Sequence, residues 1–340
     1  MNIILDAMGS DQYPEPELQA AITASREHGE AITLVGNSTI LEPKLKAMDT
    51  SGSDIQIVHA PDVLEMTDHP VEATKKKPDN SMAVGLRLHK EGKGEAFVTA
   101  GNTGAAAFNA IRVLTRIKGI SRPALATTIP TRKGKCVFID TGVNVDCRPE
   151  HLGEFAIMAG VYAEKVLKIE KPRISLLSNG EEEIKGNQLI KDANPLLKKL
   201  DLNFVGNVEP KEVFAGDVDV VVSDGFPGNV FIKTSEAVAK FITDILREEI
   251  SASTAAKLGY LLAKPAFGKL KKMMDPAEVG AAMLLGVEGY AFIGHGRSDA
   301  HALVSAIGQA HQAVEAHLLE SLKASILERV ALLDTLRSSN

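Results

Sequence analysis

The stretch DVDVVVSDGFPGNVFIKTSE, residues 217–236, holds the fold in miniature. An apolar run at 218–222 leads into a loop carrying Gly225, Pro227 and Gly228, and then into a segment of helical character. A buried strand, a small-residue loop and a helix in succession form the repeating unit of α/β proteins with a parallel sheet. The loop has the shape of many phosphate-binding turns, yet it matches neither GxxxxGK[ST] nor GxGxxG. It contains no Cys or His, and Ser223 has no base beside it in sequence, so a protein nucleophile is missing.

The same unit recurs along the chain. Short apolar runs predict strands at 3–5, 32–35, 55–58, 96–99, 124–129, 135–140, 173–177, 202–205 and 218–222. Most end in a small or polar cluster: DAMGSD, VGN, TAGNTG, DTGVN, SNGEE and SDGFPGN. In an open parallel sheet, ligands bind beyond the carboxyl ends of strands, where such loops collect. Helical periodicity predicts helices at 16–28, 104–116, 151–167 and 233–250. The chain has no internal repeat and no linker rich in Pro, Gly or Ser, so two lobes sharing one sheet and two separate domains both fit.

Composition narrows the setting. The 340 residues are 44% hydrophobic, ample for a buried core, and the formal net charge of −6 argues against a nucleic-acid binder with a general cationic field. The N-terminus, MNIILDAMGS, lacks a basic flank and a long apolar run, and no segment approaches 18 uninterrupted apolar residues. The expected location is therefore the cytoplasm, with Cys136 and Cys147 as reduced thiols.

One segment departs from the pattern: STAAKLGYLLAKPAFGKLKKMMDP, 253–276. Leu258, Leu261, Leu262 and Pro265 fall at i, i+3, i+4 and i+7, and Phe267, Leu270 and Met274 repeat the spacing. Pro265 is expected to divide the run into two short helices, a hairpin. Lys257, Lys264, Lys269, Lys271 and Lys272 lie between Glu249 and Asp275 with no acid among them. A cationic amphipathic hairpin in an acidic chain suits a membrane surface or an acidic partner; a helical pair covering the core or a dimer interface is the alternative.

Three loops can carry chemistry. In TAGNTGAAAFNAI, 99–111, a strand passes through Gly101, Asn102, Thr103 and Gly104 into an Ala-rich helix, whose open N–H groups suit an anion; equally, Asn102 or Thr103 can serve as an N-cap. SNGEEEIKGN, 178–187, repeats the shape through Ser178, Asn179 and Gly180, and adds Lys185 one helical turn beyond Glu181. Lys185 can pair with that acid on a solvated face or balance a phosphate or oxyanion. DTGVNVDCRPEHL, 140–152, spaces Cys147 and His151 four apart, but Pro149 makes a continuous helix through them doubtful and two ligands are too few for zinc, which favours a buried thiol and a capping His over a catalytic pair or a zinc site.

Read together, DAMGSDQYP, KKKPDNSM, TAGNTGA, DTGVNVDCRPEHL, SNGEEEIKGN, GDVDVVVSDGFPGNVFIKTSE and GHGRSDAHA resemble, in order and spacing, the phosphate acyltransferase family, PlsX, from Asp6 to about Leu322. Ser10 stands where the family usually has a second Gly, Asn80 where Ser is usual, and VGAAMLLG lacks a proline commonly found before the Leu pair. If that Gly served a positive φ, Ser10 implies a slightly different first loop.

The resemblance implies one two-lobed catalytic unit over 1–340: a mostly parallel sheet flanked by helices, similar to phosphotransacetylases and isocitrate- or isopropylmalate-type dehydrogenases, with a protruding amphipathic hairpin. It implies reversible transfer of a fatty acyl group from acyl carrier protein to inorganic phosphate, giving acyl phosphate for phospholipid synthesis and for hand-over to a membrane glycerol-3-phosphate acyltransferase. It further implies a homodimer at the inner face of the membrane, no cofactor or metal, and no nucleic-acid partner. Leu258, Leu261, Leu262, Lys264, Phe267 and Lys271 are the expected membrane or carrier contact. Lys185 and Asn229 match the family's active-site residues.

Such chemistry accounts for the missing nucleophile, because phosphate itself attacks the thioester. The protein must hold a dianion beside the carbonyl and stabilise the tetrahedral oxyanion. Backbone N–H groups at Gly101–Gly104 and Gly225–Asn229, the Asn102 and Asn229 amides and the Lys185 ammonium are suitable donors, and Ser178, Asn179, Gly180, Asp224, Gly225, Gly228 and Lys233 complete the expected substrate site. Lys233 can join it or run along its helix, and His295 can touch phosphate or carrier or serve a turn. Asp6 and Asp224 are expected to orient loops. The rivals are a phosphotransacetylase-like enzyme using acyl-CoA, a nicotinamide-linked dehydrogenase of similar architecture, and a non-catalytic carrier- or membrane-binding scaffold.

Overall fold

The computed structural model describes residues 1–338, with the side chains of 271, 272, 276, 330, 331 and 333–338 excepted. The Lys271 side chain, expected in the membrane or carrier contact, therefore lies outside the described residues.

Strands β1 (Asn2–Asp6), β2 (Ala31–Gly36), β3 (Asp54–His59) and β4 (Ala96–Thr99) pair in parallel in the order β3-β2-β1-β4. Their crossovers carry α1 (Glu15–His28), α2 (Ser38–Lys46), α3 (Pro70–Lys76) and α4 (Ser81–Lys90). After α5 (Thr103–Leu114) comes an antiparallel pair, β5 (Ala124–Thr131) and β6 (Gly134–Ile139), closed by a two-residue turn. A second parallel group follows: α6 (Pro149–Lys165), β7 (Ile174–Leu177), α7 (Gln188–Leu197), β8 (Phe204–Val208), α8 (Pro210–Ala215) and β9 (Val220–Val222). Two long helices, α9 (Gly225–Ala252) and α10 (Thr254–Met274), precede β10 (Ala281–Leu285) and β11 (Ala291–Gly294), and α11 (Ala300–Glu315) and α12 (Leu318–Ser338) close the chain.

Among the described residues, eleven strands form one sheet in the order β3-β2-β1-β4-β11-β10-β5-β6-β9-β7-β8. Strand β11 runs parallel to β4, but β10 is antiparallel to both β11 and β5, and β5 is antiparallel to β6. The group β3-β2-β1-β4-β11 therefore points one way and the group β6-β9-β7-β8 the other. Carboxyl-end loops of the two groups leave opposite edges of one shared sheet. Strand alternation buries Ile3, Leu5, Val98, Val137, Ile139, Val220 and Val222 in one continuous core together with α1, α6 and α11, so the halves share their packing.

Several expectations shift. β10 and β11 have no counterpart among the predicted strands; both are short apolar runs bounded by glycine, and beyond each other their partners, β5 and β4, lie far off in sequence. β8 begins at Phe204 rather than 202. Helix α9 begins at Gly225 rather than 233, so the expected loop is its first turn; Pro227 fits there because a first-turn N–H has no intrahelical acceptor. The expected break at Pro265 does not occur, and 254–274 form one helix in which Leu261, whose carbonyl loses its intrahelical donor to the proline, is an exposed residue. The amphipathic hairpin is accordingly α9 packed on α10, joined at Ser253, rather than two halves of 253–276.

Candidate active site

Strands β6, β9 and β7 are parallel neighbours, so the loops at 140–144, 223–229 and 178–187 share one sheet edge. Asp140 organises this corner. Its Oδ1 accepts from the N–H groups of Leu125, Gly142 and Val143 at 3.1–3.2 Å, and its Oδ2 accepts from the Asn144 N–H and amide at 2.7 and 2.8 Å. Burial pushes the Asp140 carboxyl above its ordinary range, while the Asn144, Val143 and Leu125 donors pull the other way. The turn so formed receives the start of α9. The Gly225 N–H donates to the Asn144 carbonyl at 2.7 Å, and a Cβ on Gly228 would stand 2.0 Å from the Asp140 carbonyl oxygen, an approach no other residue permits.

Asn229 is fixed by the same turn. Its Nδ2 donates to the Thr141 carbonyl at 2.9 Å, and Gly142, at φ 138, leaves space that any side chain would take from that amide. Among the described residues the second Nδ2 hydrogen has no acceptor, and the side chain is exposed. The backbone of this helix start is otherwise engaged. Asp224, the N-cap, accepts from Phe226 N–H at 3.1 Å on its side chain and from Gly228 N–H at 3.1 Å on its carbonyl, and burial raises its carboxyl. The expected row of open N–H groups at Gly225–Asn229 is thus already paired, because the cap and the Asn144 carbonyl reach it first.

Lys185 stands in an irregular turn, not on a helix: α7 starts at Gln188, capped by Asn187. Its expected partner Glu181 pairs with Lys211 at 3.6 Å, and Glu183 pairs with Lys198. Lys185 lies across the buried Gly180 and is exposed; among the described residues it has no ion-pair partner. The turn is held by Asn179, which accepts from Gly186 N–H at 2.9 Å, while the buried Ser178 hydroxyl has no partner among the described residues.

The opposite edge gathers 6–11, 66–69, 101–104 and 295–298. Asp6 accepts from the Thr99 hydroxyl at 2.7 Å and from Met8 N–H at 3.1 Å; Thr99 in turn accepts from Gly101 N–H at 3.0 Å. Burial raises the Asp6 carboxyl. Asn102 caps α5 by accepting from Ala105 N–H at 3.0 Å, and its Nδ2 donates to the carbonyls of Met66 and Asp68 at 2.9 and 3.4 Å. Thr103 and Gly104 are exposed residues at the helix start, and among the described residues their N–H groups have no hydrogen-bond acceptor. Ser10 is buried with a negative φ, so its replacement of glycine carries no backbone strain, and Asn80 caps α4 as a serine would. Asp11 N–H donates to Gly296 at 2.7 Å, and His295 Nδ1 accepts from Arg297 N–H at 3.3 Å, a turn role for that nitrogen. Burial first, then Lys233 and Arg297, depress the His295 pKa.

Helix α9 connects the two edges. One turn beyond Asn229, Lys233 pairs with Glu236 at 3.4 Å, and Glu236 also receives Arg297 at 2.9 Å. A shallow depression of about 520 Å³ follows this face of α9, lined by Asn229, Lys233, Thr234, Val238 and Phe241 among others. Arg297, Glu236 and Thr141, which contact the candidate residues Lys233 and Asn229 or their partner, were not among the residues expected from sequence; the cation inside GHGRSD and the three-residue spacing of Lys233 and Glu236 were the available signals. Cys147 and His151 do not form a reactive pair: His151 accepts from Arg148 N–H at 3.0 Å, and burial pushes the Cys147 thiol up to about 12.

Beyond the site, α9 and α10 expose apolar side chains. Phe241 is 64% exposed and Leu262 80%, with Leu258 and Leu261 also exposed and Phe267 half-buried against Tyr260. No described helix is long and apolar enough to cross a membrane.

The model of the fatty acid synthesis protein family matches residues 1–321. A phosphate acyltransferase of Syntrophotalea carbinolica is 46% identical over 324 residues, covering 95% of this chain and 93% of the relative. One of Geobacter sulfurreducens is 47% identical over 314 residues, covering 92% and 91%. Among solved structures, a phosphotransacetylase from Streptococcus pyogenes superposes with a TM-score of 0.63 at 19% identity, covering 93% of this chain and 94% of the other. A 4-hydroxythreonine-4-phosphate dehydrogenase from Klebsiella pneumoniae gives 0.55 at 14% identity, covering 92% and 99%; at these identities the likeness speaks to fold alone.

Proposed function

The chain belongs to the fatty acid synthesis protein family, whose curated relatives are phosphate acyltransferases, and from that premise we propose that it moves a fatty acyl group reversibly from the thioester of acyl carrier protein to inorganic phosphate. The observation that carries the reading is Asn229: an exposed amide held by one hydrogen to the Thr141 carbonyl, with the other unpaired, beside loops that offer cations and amides but no nucleophile.

A phosphate oxygen attacks the thioester carbonyl carbon, and the carbonyl electrons move onto oxygen. The free Asn229 hydrogen and the Lys185 ammonium stabilise that oxyanion. Collapse expels the carrier thiolate, a good leaving group because thiols ionise near pH 8.5, and solvent protonates it. The attacking phosphate is already anionic, so no protein base is needed. The open N–H groups of Thr103 and Gly104 and the Lys233 ammonium neutralise phosphate charge, and Asn102 acts here as the tether that holds its turn. Gly101, Ser178, Asn179, Gly180, Asp224, Gly225 and Gly228 shape the two loop edges. The chain works as one two-lobed unit, since the lobes share a sheet and a core.

Leu258, Leu261 and Leu262 with Lys264 suit a membrane surface, and the apolar α9 face suits a second copy of the chain, which gives a homodimer peripheral to the inner face of the membrane and able to hand acyl phosphate to a membrane glycerol-3-phosphate acyltransferase. The test is incubation with acyl-acyl carrier protein or acyl-CoA, with and without phosphate. Phosphate-dependent acyl phosphate from the carrier substrate is expected; formation only from acyl-CoA replaces the donor, and carrier binding without turnover leaves a scaffold.

A further inference from the structure

We propose that Arg297 is a ligand of the phosphate substrate and that Glu236 is the positioning residue setting Arg297 and Lys233 around it, an inference that rests on the phosphate acyltransferase reading. Both cations meet the same carboxylate oxygen, Glu236 Oε2, at 2.9 Å from Arg297 Nη2 and 3.4 Å from Lys233 Nζ. They are thereby close enough for one tetrahedral dianion to bridge them. They also come from different halves of the molecule: Lys233 is on α9, after β9, and Arg297 is in the loop after β11, whose strands leave opposite edges of the sheet.

An ordinary surface pair does not have these properties. One carboxylate, Glu236, serves two cations, which leaves one positive charge to face the nearby Asp11 carboxylate. His295 is held towards its neutral form by burial and by those same cations, and Asp11 approaches Gly296, the residue before Arg297. Lys233 and Asn229 line the same depression, one helical turn apart. The backbone donors at the start of α9 are already paired, so phosphate charge on this side must be met by side chains. Arg297 gives Glu236 one end of its guanidinium; among the described residues Nε and Nη1 have no partner, which leaves a fork of donors of the geometry that phosphate oxygens accept. Glu236, with its side chain 23% exposed, sits between the cations as a fixed spacer.

The test is steady-state turnover with phosphate varied, for the parent, Arg297→Gln, Arg297→Lys and Glu236→Gln, with calorimetric titration of inorganic phosphate in parallel. Arg297→Gln is expected to raise the KM for phosphate by about 10- to 100-fold, the range of a charged hydrogen bond, with the KM for acyl carrier unchanged. Arg297→Lys keeps the charge without the fork and falls between. Glu236→Gln is expected to raise the phosphate KM by roughly 3- to 10-fold with kcat retained, since the cations stay but their spacing loosens. An unchanged phosphate KM in Arg297→Gln, or a rise in the acyl carrier KM instead, overturns the assignment. If Arg297→Gln fails to fold, equal phosphate affinity of Arg297→Lys and the parent overturns it. If the parent forms no acyl phosphate, the functional reading falls, and calorimetry still decides whether Arg297 binds phosphate.

Discussion

Two helix starts in this protein look alike in sequence and are wired in opposite ways. At α5, TAGNTG, the Asn102 side chain is fully engaged in capping and in tethering 66–68, and the backbone N–H groups of Thr103 and Gly104 stay open. At α9, SDGFPGN, the backbone is engaged by Asp224 and Asn144, and the Asn229 side chain keeps a hydrogen free. A small-residue turn before a helix therefore does not say whether its main chain or its side chain is the working donor. The acceptors that reach it first decide; beside the local caps Asn102 and Asp224, these are distant in sequence: Met66 and Asp68 in one case, Thr141 and Asn144 in the other.

The contrast is sharpest in substitutions. Asn229→Ala is expected to slow acyl phosphate formation by about 100- to 1,000-fold, the cost of losing one well-aimed oxyanion donor, with little change in melting temperature. Lys185→Ala should fall in the same range. Single-turnover assays on folded variants check both, and near-normal rates in the pair would end the assignment of this edge as the catalytic one.

The next effect is in stability and belongs to the opposite edge. Glu17 is buried beneath the first loop, where it accepts from Ser10 N–H at 3.0 Å, and burial raises its pKa to about 7. A folded-state pKa above the unfolded value means that the neutral acid is favoured in the fold. That stability is fully present below the unfolded pKa of 4.5 and is lost as pH rises through about 7. Urea unfolding should show a loss on the order of 2–3 kcal/mol between about pH 5 and pH 8, which Glu17→Gln flattens. An unchanged slope in the variant would assign the pH dependence to other groups.

Asn102→Ala is the direct mirror of Asn229→Ala. Loss of the cap and tether should cost about 1–2 kcal/mol of stability, read by chemical denaturation, with a smaller drop in turnover than at Asn229. The reverse ranking would exchange the roles of the two turns. Ser10→Gly is expected to be the mildest: the serine carries no positive φ and its hydroxyl, near Glu17, makes no well-formed hydrogen bond among the described residues, so stability should move by less than about 1 kcal/mol.

The strand-end loops were legible before any fold was seen, because apolar runs and small polar clusters are local signals. Lys185 and Asn229 were singled out only through their place in a family pattern, and the substitutions above test their roles. The start of α9 was misplaced by about two turns because Gly225, Pro227 and Gly228 carry low helix propensity, which close docking on 140–144 overrides. The continuity of α10 through Pro265 was missed for a related reason: propensity counts the lost hydrogen bond but not the solvent that can satisfy its acceptor.

The sequence by itself determined an α/β chain of phosphate acyltransferase type, with its small polar loops at strand ends and an amphipathic segment near 253–276. Only the tertiary structure decided that the successive antiparallel pairings of β11, β10, β5 and β6 turn the sheet over and send those loops to opposite edges, that α9 spans between them, and that Arg297 reaches across 61 residues of chain to the Glu236 carboxylate that Lys233 also meets. Periodicity and composition report what a segment buries. Which acceptor reaches a given N–H first depends on strand direction and long-range packing, and no local pattern encodes either.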